Sequence, residues 1–345
     1  MPQGSPITPW RVAAVSLMAT VIAVGMLSGL RQAGQMPEAT PELTSRLAQL
    51  NELLTDILHG RVTPEAATER LLTHYPGVVI GGAIASVALP TGLATIIVLL
   101  VLTIRGHRLK PRADWAPGAP WNLFDVLEVV LLFLFAQIVL VLFARALRGG
   151  VQPARGEVML TTAAVYVASA ALTLALVFAR TPGGWHYLRQ VVRPVRGSVS
   201  RLVGIGFLSF SVGLVAMYIV TAVTGSGQNA LRSPVVPELV EAGGVWVKVV
   251  AVLLVALIGP PFEETIFRGM VYRSLRARWG IPIGVVLSAL VFALAHMTPQ
   301  LIIPILALGV VFASVYEITG ALLPSAVAHC LQNGMTVAFI LGLAS

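Results

Sequence analysis

The sequence predicts an all-α fold, a polytopic membrane bundle of about eight to nine transmembrane helices with a small extramembrane helical hairpin. Three observations predict it. Of the 345 residues, 57% are hydrophobic and only 11% are charged, whereas soluble domains carry about a quarter charged residues. The apolar residues gather into runs close to the ~20 residues that a spanning helix needs. The basic residues, nearly all arginine, fall in short loops between those runs, which is how orientation is set in a bilayer. The net charge of +8 is therefore read as a topology signal, and no nucleic-acid partner is expected.

The runs cover residues 12–30, 78–104, 123–143, 158–178, 202–223, 245–258, 283–296, 301–316 and 322–343. The first is read as a membrane anchor, because no small-x-small cleavage site precedes a soluble domain. Three basic clusters fall on one side under this assignment: Arg105, Arg108, Lys110 and Arg112; Arg189, Arg193, Arg196 and Arg201; and Arg273, Arg276 and Arg278. The positive-inside rule makes that side cytoplasmic, with the N-terminus inside and the C-terminus outside. The Arg-over-Lys and Ala-rich bias points to a GC-rich bacterial genome, hence to a bacterial inner membrane.

Residues 38–73 interrupt the pattern. Leu43, Leu47, Leu50, Leu54 and Ile57 follow steps of four and three, giving one apolar stripe on a helix. Gly60 fits a helix stop, and Thr63-Pro64-Glu65 fits an N-cap followed by a first-turn proline and acid. The expectation is a helical hairpin on the outer face, capping the bundle. The chain thus divides into an anchor (1–36), an extracytoplasmic hairpin (37–76), a membrane scaffold (77–244) and a C-terminal core (245–345).

Ionisable residues in apolar runs are costly and are functional candidates by default. Asp125 and Glu128 are read as headgroup-solvated at a span start, Lys248 as snorkelling outward, and Glu317 as structural near a helix end. The single cysteine, Cys330, is read as a small packing residue. The C-terminal core differs. Pro260-Pro261 is expected to interrupt one helix and start another, which at once presents Glu263 and Glu264. Glu264 and Arg268 are four apart with the acid first, the better order for a helical ion pair. Glu263 is turned about 100° away. One carboxylate is thus braced while its neighbour is left for proton work. Phe292 and His296 share a helix face at spacing four, as do His329 and Asn333. A carboxylate can deprotonate water with help from an imidazole. Imidazole and amide N–H groups can hold an oxyanion. Together these residue types suit hydrolysis of an amide bond.

Glu-Glu-x-x-x-Arg, then Phe-x-x-x-His, then His-x-x-x-Asn resembles the CAAX protease and bacteriocin-processing (CPBP, or Abi) family of intramembrane glutamic endopeptidases. Phe267-Arg268-Gly269 and Thr319-Gly320 match its flanks, and the resemblance covers roughly residues 245–340. It implies that Glu263 activates water and His296 assists. It further implies that His329 and Asn333 line the oxyanion site, while Glu264 and Arg268 hold the helix and Phe292 supports it. No cofactor and no metal are implied, and the expected partner is a membrane-associated protein or peptide substrate. The site is expected in a cavity open towards the cytoplasm, with Glu263 near the inner face.

Other classes are weighed on motifs. There is no His-Glu-x-x-His for a zinc site-2 type, and no Gly-x-Gly-Asp for an aspartyl type. Ser226 lies in a loop, where a rhomboid-type nucleophile would not. Glu263, His296 and His329 could together make a two-His, one-carboxylate zinc set. A non-catalytic scaffold or immunity protein on the same fold would be indifferent to Glu263→Gln. A transporter would need repeat symmetry, and none is evident.

Overall fold

The structure is a computed structural model that describes residues 6–33, 41–107, 120–147, 155–181, 183–187, 198–225, 244–296 and 298–344. Arg108, Lys110, Arg112, Arg189, Arg193, Arg196, Ser226 and residues 37–40 of the hairpin region lie outside the described residues. Every regular element among the described residues is helical. In chain order these are α1 (Pro9–Ala33), α2 (Pro41–Leu58), α3 (Pro64–His74), α4 (Pro76–Ile104), α5 (Leu123–Leu147), α6 (Arg155–Arg180), α7 (Val199–Thr224) and α8 (Val245–Val252). A π-helical turn, Leu253–Ile258, leads into α9 (Gly259–Ile266). A second, Phe267–Tyr272, leads into α10 (Arg273–Ala295), followed by α11 (Ile302–Thr319) and α12 (Leu322–Ala344).

Five helical stretches are long and apolar enough to cross a membrane: α4, residues Leu123–Phe143 of α5, α7, the run Val245–Ala295, and α11. Shorter apolar stretches lie in α1 (Pro9–Ala23) and α6 (Ala163–Ala179). The chain is an integral membrane protein with an all-α polytopic bundle. The stretch Val245–Ala295 holds two of the apolar runs read from the sequence, 245–258 and 283–296, and folds back at Gly280, whose φ of 79° only glycine adopts readily. In addition, Ser325, His329, Gln332 and Asn333 lower the hydropathy of α12, although it is 23 residues long.

Pro260-Pro261 does not break the chain's helical course, contrary to expectation. The Gly259 N–H bonds the Leu254 carbonyl, five residues back, and the helix passes through the prolines in a widened turn. Such π-turns recur at functional sites.

Helices α4, α7 and α12 pack on one another, α11 packs on α7 and α10, and α9 wedges between α6 and α12. Close crossings depend on glycine. A Cβ on Gly77 of α4 would overlap the Ala338 carbonyl of α12, and one on Gly92 would overlap the Ser211 carbonyl of α7. Small residues let membrane helices approach in this way, where no hydrophobic force drives them together.

The hairpin forms as read. Gly60 has φ 66°, and the Thr63 side chain caps the Ala66 N–H. Leu47, Leu50 and Ile57 of α2 pack with Tyr75 against Val337 and Ile340 near the end of α12. The stripe is shifted at one position: Leu53 is buried, whereas Leu54 is 40% exposed. The side chain of Leu43 lies outside the described residues.

Two acids read as headgroup-solvated are instead paired. Arg11 of α1 is 7% exposed; its Nη2 donates to Asp125 at 2.6 Å and also to Glu128. This cluster borders a cavity of about 320 Å³ between α1, α5 and α6. Glu317 of α11 is a brace, accepting from the Tyr272 hydroxyl at 2.7 Å and from both Nε and Nη2 of Arg276. Nearby, Trp121, Tyr187 and Arg273 meet at ring and cation–ring distances of 4.8 and 5.0 Å. Burial pushes the Tyr187 phenol up to about 12, so it stays neutral beneath the guanidinium. Arg11 with Asp125, and Trp121 and Arg273 through Tyr187, put the starts of α1, α5 and α10 at one end of the bundle.

Candidate active site

The site is built where the bent path α9–α10 doubles back. Glu263 precedes Gly280 by 17 residues and His296 follows it by 16. The bend therefore returns the histidine to the level of the glutamate. Ten residues separate Glu263 from Arg273, about 15 Å at 1.5 Å per residue. That is half of a ~30 Å hydrocarbon core. Arg273, with Arg276 and Arg278, therefore lies roughly two to four helical turns beyond the glutamates.

The two glutamates are both buried but differently partnered. Glu264 is fully buried, and its Oε1 is 3.0 Å from Arg268 Nη1 and 3.0 Å from His329 Nδ1. Arg268 also donates from Nη2 to the Gly309 carbonyl at 3.3 Å. Its guanidinium lies 4.3 Å from the centroid of Phe292 and 5.3 Å from that of Phe312. Glu263 is 2% exposed and makes no ion pair within 4 Å among the described residues; Oε2 of each glutamate has no hydrogen-bond partner. It interacts electrostatically with His296, Arg268 and Cys330.

Each ring nitrogen can be assigned from its partner. His296 Nδ1 is 2.8 Å from the Phe292 carbonyl, which can only accept. The proton is therefore on Nδ1, and Nε2 carries the lone pair when the ring is neutral. His329 Nδ1 faces the Glu264 carboxylate and likewise carries a proton. Phe292 is the hub between the two histidines, with ring centroids 4.7 Å from His296 and 5.6 Å from His329. Asn333 is partly engaged elsewhere: its Nδ2 donates to the Val255 carbonyl at 3.0 Å, in the first π-turn.

Glu263, Glu264, Arg268, Phe292, His296 and His329 thus lie in one connected neighbourhood, and Asn333, four residues beyond His329 on α12, is bonded to Val255. His329, expected to line the oxyanion site, is also tied to the structural pair through Glu264. Three contributors were missed. Phe312 stacks on His329 at 5.2 Å and 28°, but a phenylalanine in an apolar run carries no signal. Gly309 lets Arg268 reach a backbone carbonyl, and Tyr166 of α6 lies beside Glu263. The cavity near Arg11 is not at this site.

Residues 245–335 match the family model described as type II CAAX prenyl endopeptidase Rce1-like. The chain is 33% identical over 94 residues to the membrane-embedded CAAX protease MroQ of Staphylococcus aureus (strain USA300). That alignment covers 26% of this chain and 38% of the relative, so the likeness spans well under half of either protein. No solved structure matches. The family-model match, residues 245–335, contains the glutamates, histidines and asparagine of this site, and over that segment the chain is similar to the Rce1-like CAAX proteases.

Proposed function

We propose that this protein is an intramembrane glutamic endopeptidase that hydrolyses a peptide bond in a membrane-associated protein or peptide, without a bound metal. The observation that carries the reading is the asymmetry of the glutamate pair. Glu264 has its charge matched by Arg268 and a bond from His329. Glu263 stands outside that ion pair, and its buried Oε2, like that of Glu264, has no hydrogen-bond partner. In the reaction Glu263 takes a proton from water as the hydroxide attacks the scissile carbonyl. His296, with Nδ1 held by Phe292, offers Nε2 to relay a proton to the leaving amine. Asn333 has a second amide N–H beyond the one given to Val255. That N–H, and His329 Nε2–H when both ring nitrogens are protonated, are the donors for the tetrahedral oxyanion. Glu264 and Arg268 hold His329 in place.

Among the described residues, no three His, Cys, Asp or Glu side chains are grouped to hold an ion, and the metal question is put to experiment. The test compares membrane-anchored proteins in cells carrying the wild type, Glu263→Gln and Glu264→Gln, with purified enzyme assayed after exhaustive chelation. Processing of at least one membrane-anchored protein should stop in Glu263→Gln and survive chelation. No change in any such protein would leave a non-catalytic scaffold as the better reading, and loss on chelation would support the zinc alternative.

A further inference from the structure

The matched segment supplies every group used above, yet it is not the whole wall around Glu263. Helix α6, upstream of residues 245–335, packs directly on α9. Its Tyr166 phenol lies beside the Glu263 carboxylate and interacts with it electrostatically. The placement has an independent geometric mark at Gly259, one helical turn before Glu263. A Cβ built there would be 3.7 Å from Glu263 Oε1 and 3.8 Å from Tyr166 Cε1, so the ring edge and that oxygen border the same niche. Oε2 has no hydrogen-bond partner. The ring is not free to swing away. It meets Phe133 of α5 edge to face at 5.5 Å, and Phe133 in turn meets Phe267 at 6.4 Å, in the turn that follows α9.

We infer that Tyr166 is a positioning residue for Glu263, contributed by the scaffold helix α6: its hydroxyl donates to Oε1, fixes the carboxylate rotamer, and directs Oε2 toward the reacting water. The inference rests on the reading of Glu263 as water activator. A glutamate has three side-chain torsions, and an unanchored carboxylate would spend much of its time misaimed. Arg268, His296 and Cys330 also act on Glu263 electrostatically.

The test uses Tyr166→Phe in the full chain, which removes one oxygen and keeps the ring and its contact with Phe133. Infrared difference spectra of the protein in lipid nanodiscs, with ring-labelled tyrosine, give a readout that needs no substrate. The Tyr166 C–O band, identified by its loss in Tyr166→Phe, should move in Glu263→Gln, and the Glu263 carboxylate band should move in Tyr166→Phe. On whichever membrane-anchored protein Glu263→Gln ceases to process, Tyr166→Phe should lower kcat about tenfold with KM unchanged, the loss expected for one charge-assisted hydrogen bond. Bands that stay in place in both variants, or a KM effect without a kcat effect, would overturn the role of Tyr166. If Glu263→Gln halts no processing while the bands still move, the peptidase reading fails and the Tyr166–Glu263 bond stands.

Discussion

Replacing Arg268 by methionine tests how the buried centre is held. Arg268 is 1% exposed and Glu264 fully buried, so neither charge can turn to water when the other is lost. Arg268→Met removes the ion pair at 3.0 Å, the bond to the Gly309 carbonyl, and the stacking on Phe292 and Phe312. Glu264 would keep His329 as its remaining partner. Leaving one member of a buried pair uncompensated costs about 3–5 kcal/mol. At about 2 °C per kcal/mol for a chain this long, the expected fall in Tm is about 6–10 °C. The double variant Glu264→Gln/Arg268→Met removes both charges and keeps an amide oxygen for His329 Nδ1. Its cost should be about 1–2 kcal/mol, the worth of the bond to Gly309 and the lost ring contact. The second substitution thus partly repairs the first. The chain's single cysteine, Cys330, follows His329 directly, so a thiol-reactive dye read during thermal unfolding reports on this site. A double variant as unstable as the sum of the two single variants would refute the claim that Arg268 neutralises Glu264.

Further outcomes follow from the packing. Gly77→Leu should cost about 1–3 kcal/mol and loosen α4 from α12, because the new side chain meets the Ala338 carbonyl; thermal unfolding in detergent measures it. Leu50→Ala should raise proteolysis within residues 41–74 while leaving Cys330 labelling unchanged, since Leu50 belongs to the small cluster that seats the hairpin on Val337 and Ile340. Glu317→Leu should cost about 1–3 kcal/mol by orphaning the Tyr272 hydroxyl, again read from Tm.

The helices were legible because their apolar runs obey one length constraint and their loops one charge rule. Thr63 and Gly60 announced the hairpin by chemistry that acts within a few residues. The glutamate pair was legible for the same reason, since spacing four places Glu264 beside Arg268 whatever the tertiary fold. What spacing could not convey was partnership between distant segments. Asp125 and Glu128 looked solvated because Arg11, their partner, is more than a hundred residues away. His329 looked independent of Glu264 because two apolar helices intervene between them in the chain. Phe312 and Gly309 act through shape and a backbone carbonyl, for which the sequence has no mark.

The π-turn before the glutamates gives Asn333 a second task, and the two can be separated. In the wide register that carries the Gly259 N–H to the Leu254 carbonyl, the next donor, at residue 260, would serve the Val255 carbonyl. Residue 260 is proline and has no N–H. Asn333 donates to that orphaned carbonyl at 3.0 Å, in a membrane where an unpaired backbone acceptor is costly. Asn333→Ala should therefore destabilise the protein by about 1–3 kcal/mol, apart from any effect on an oxyanion. Pro260→Ala restores the missing donor. In that background Asn333→Ala should cost about 1 kcal/mol less stability, while a loss of peptide hydrolysis from the missing oxyanion donor should persist. An equal stability cost in both backgrounds would show that Asn333 does not stand in for the proline. Recovery of hydrolysis together with stability would show that Asn333 acts only through the helix, and would leave His329 as the oxyanion donor.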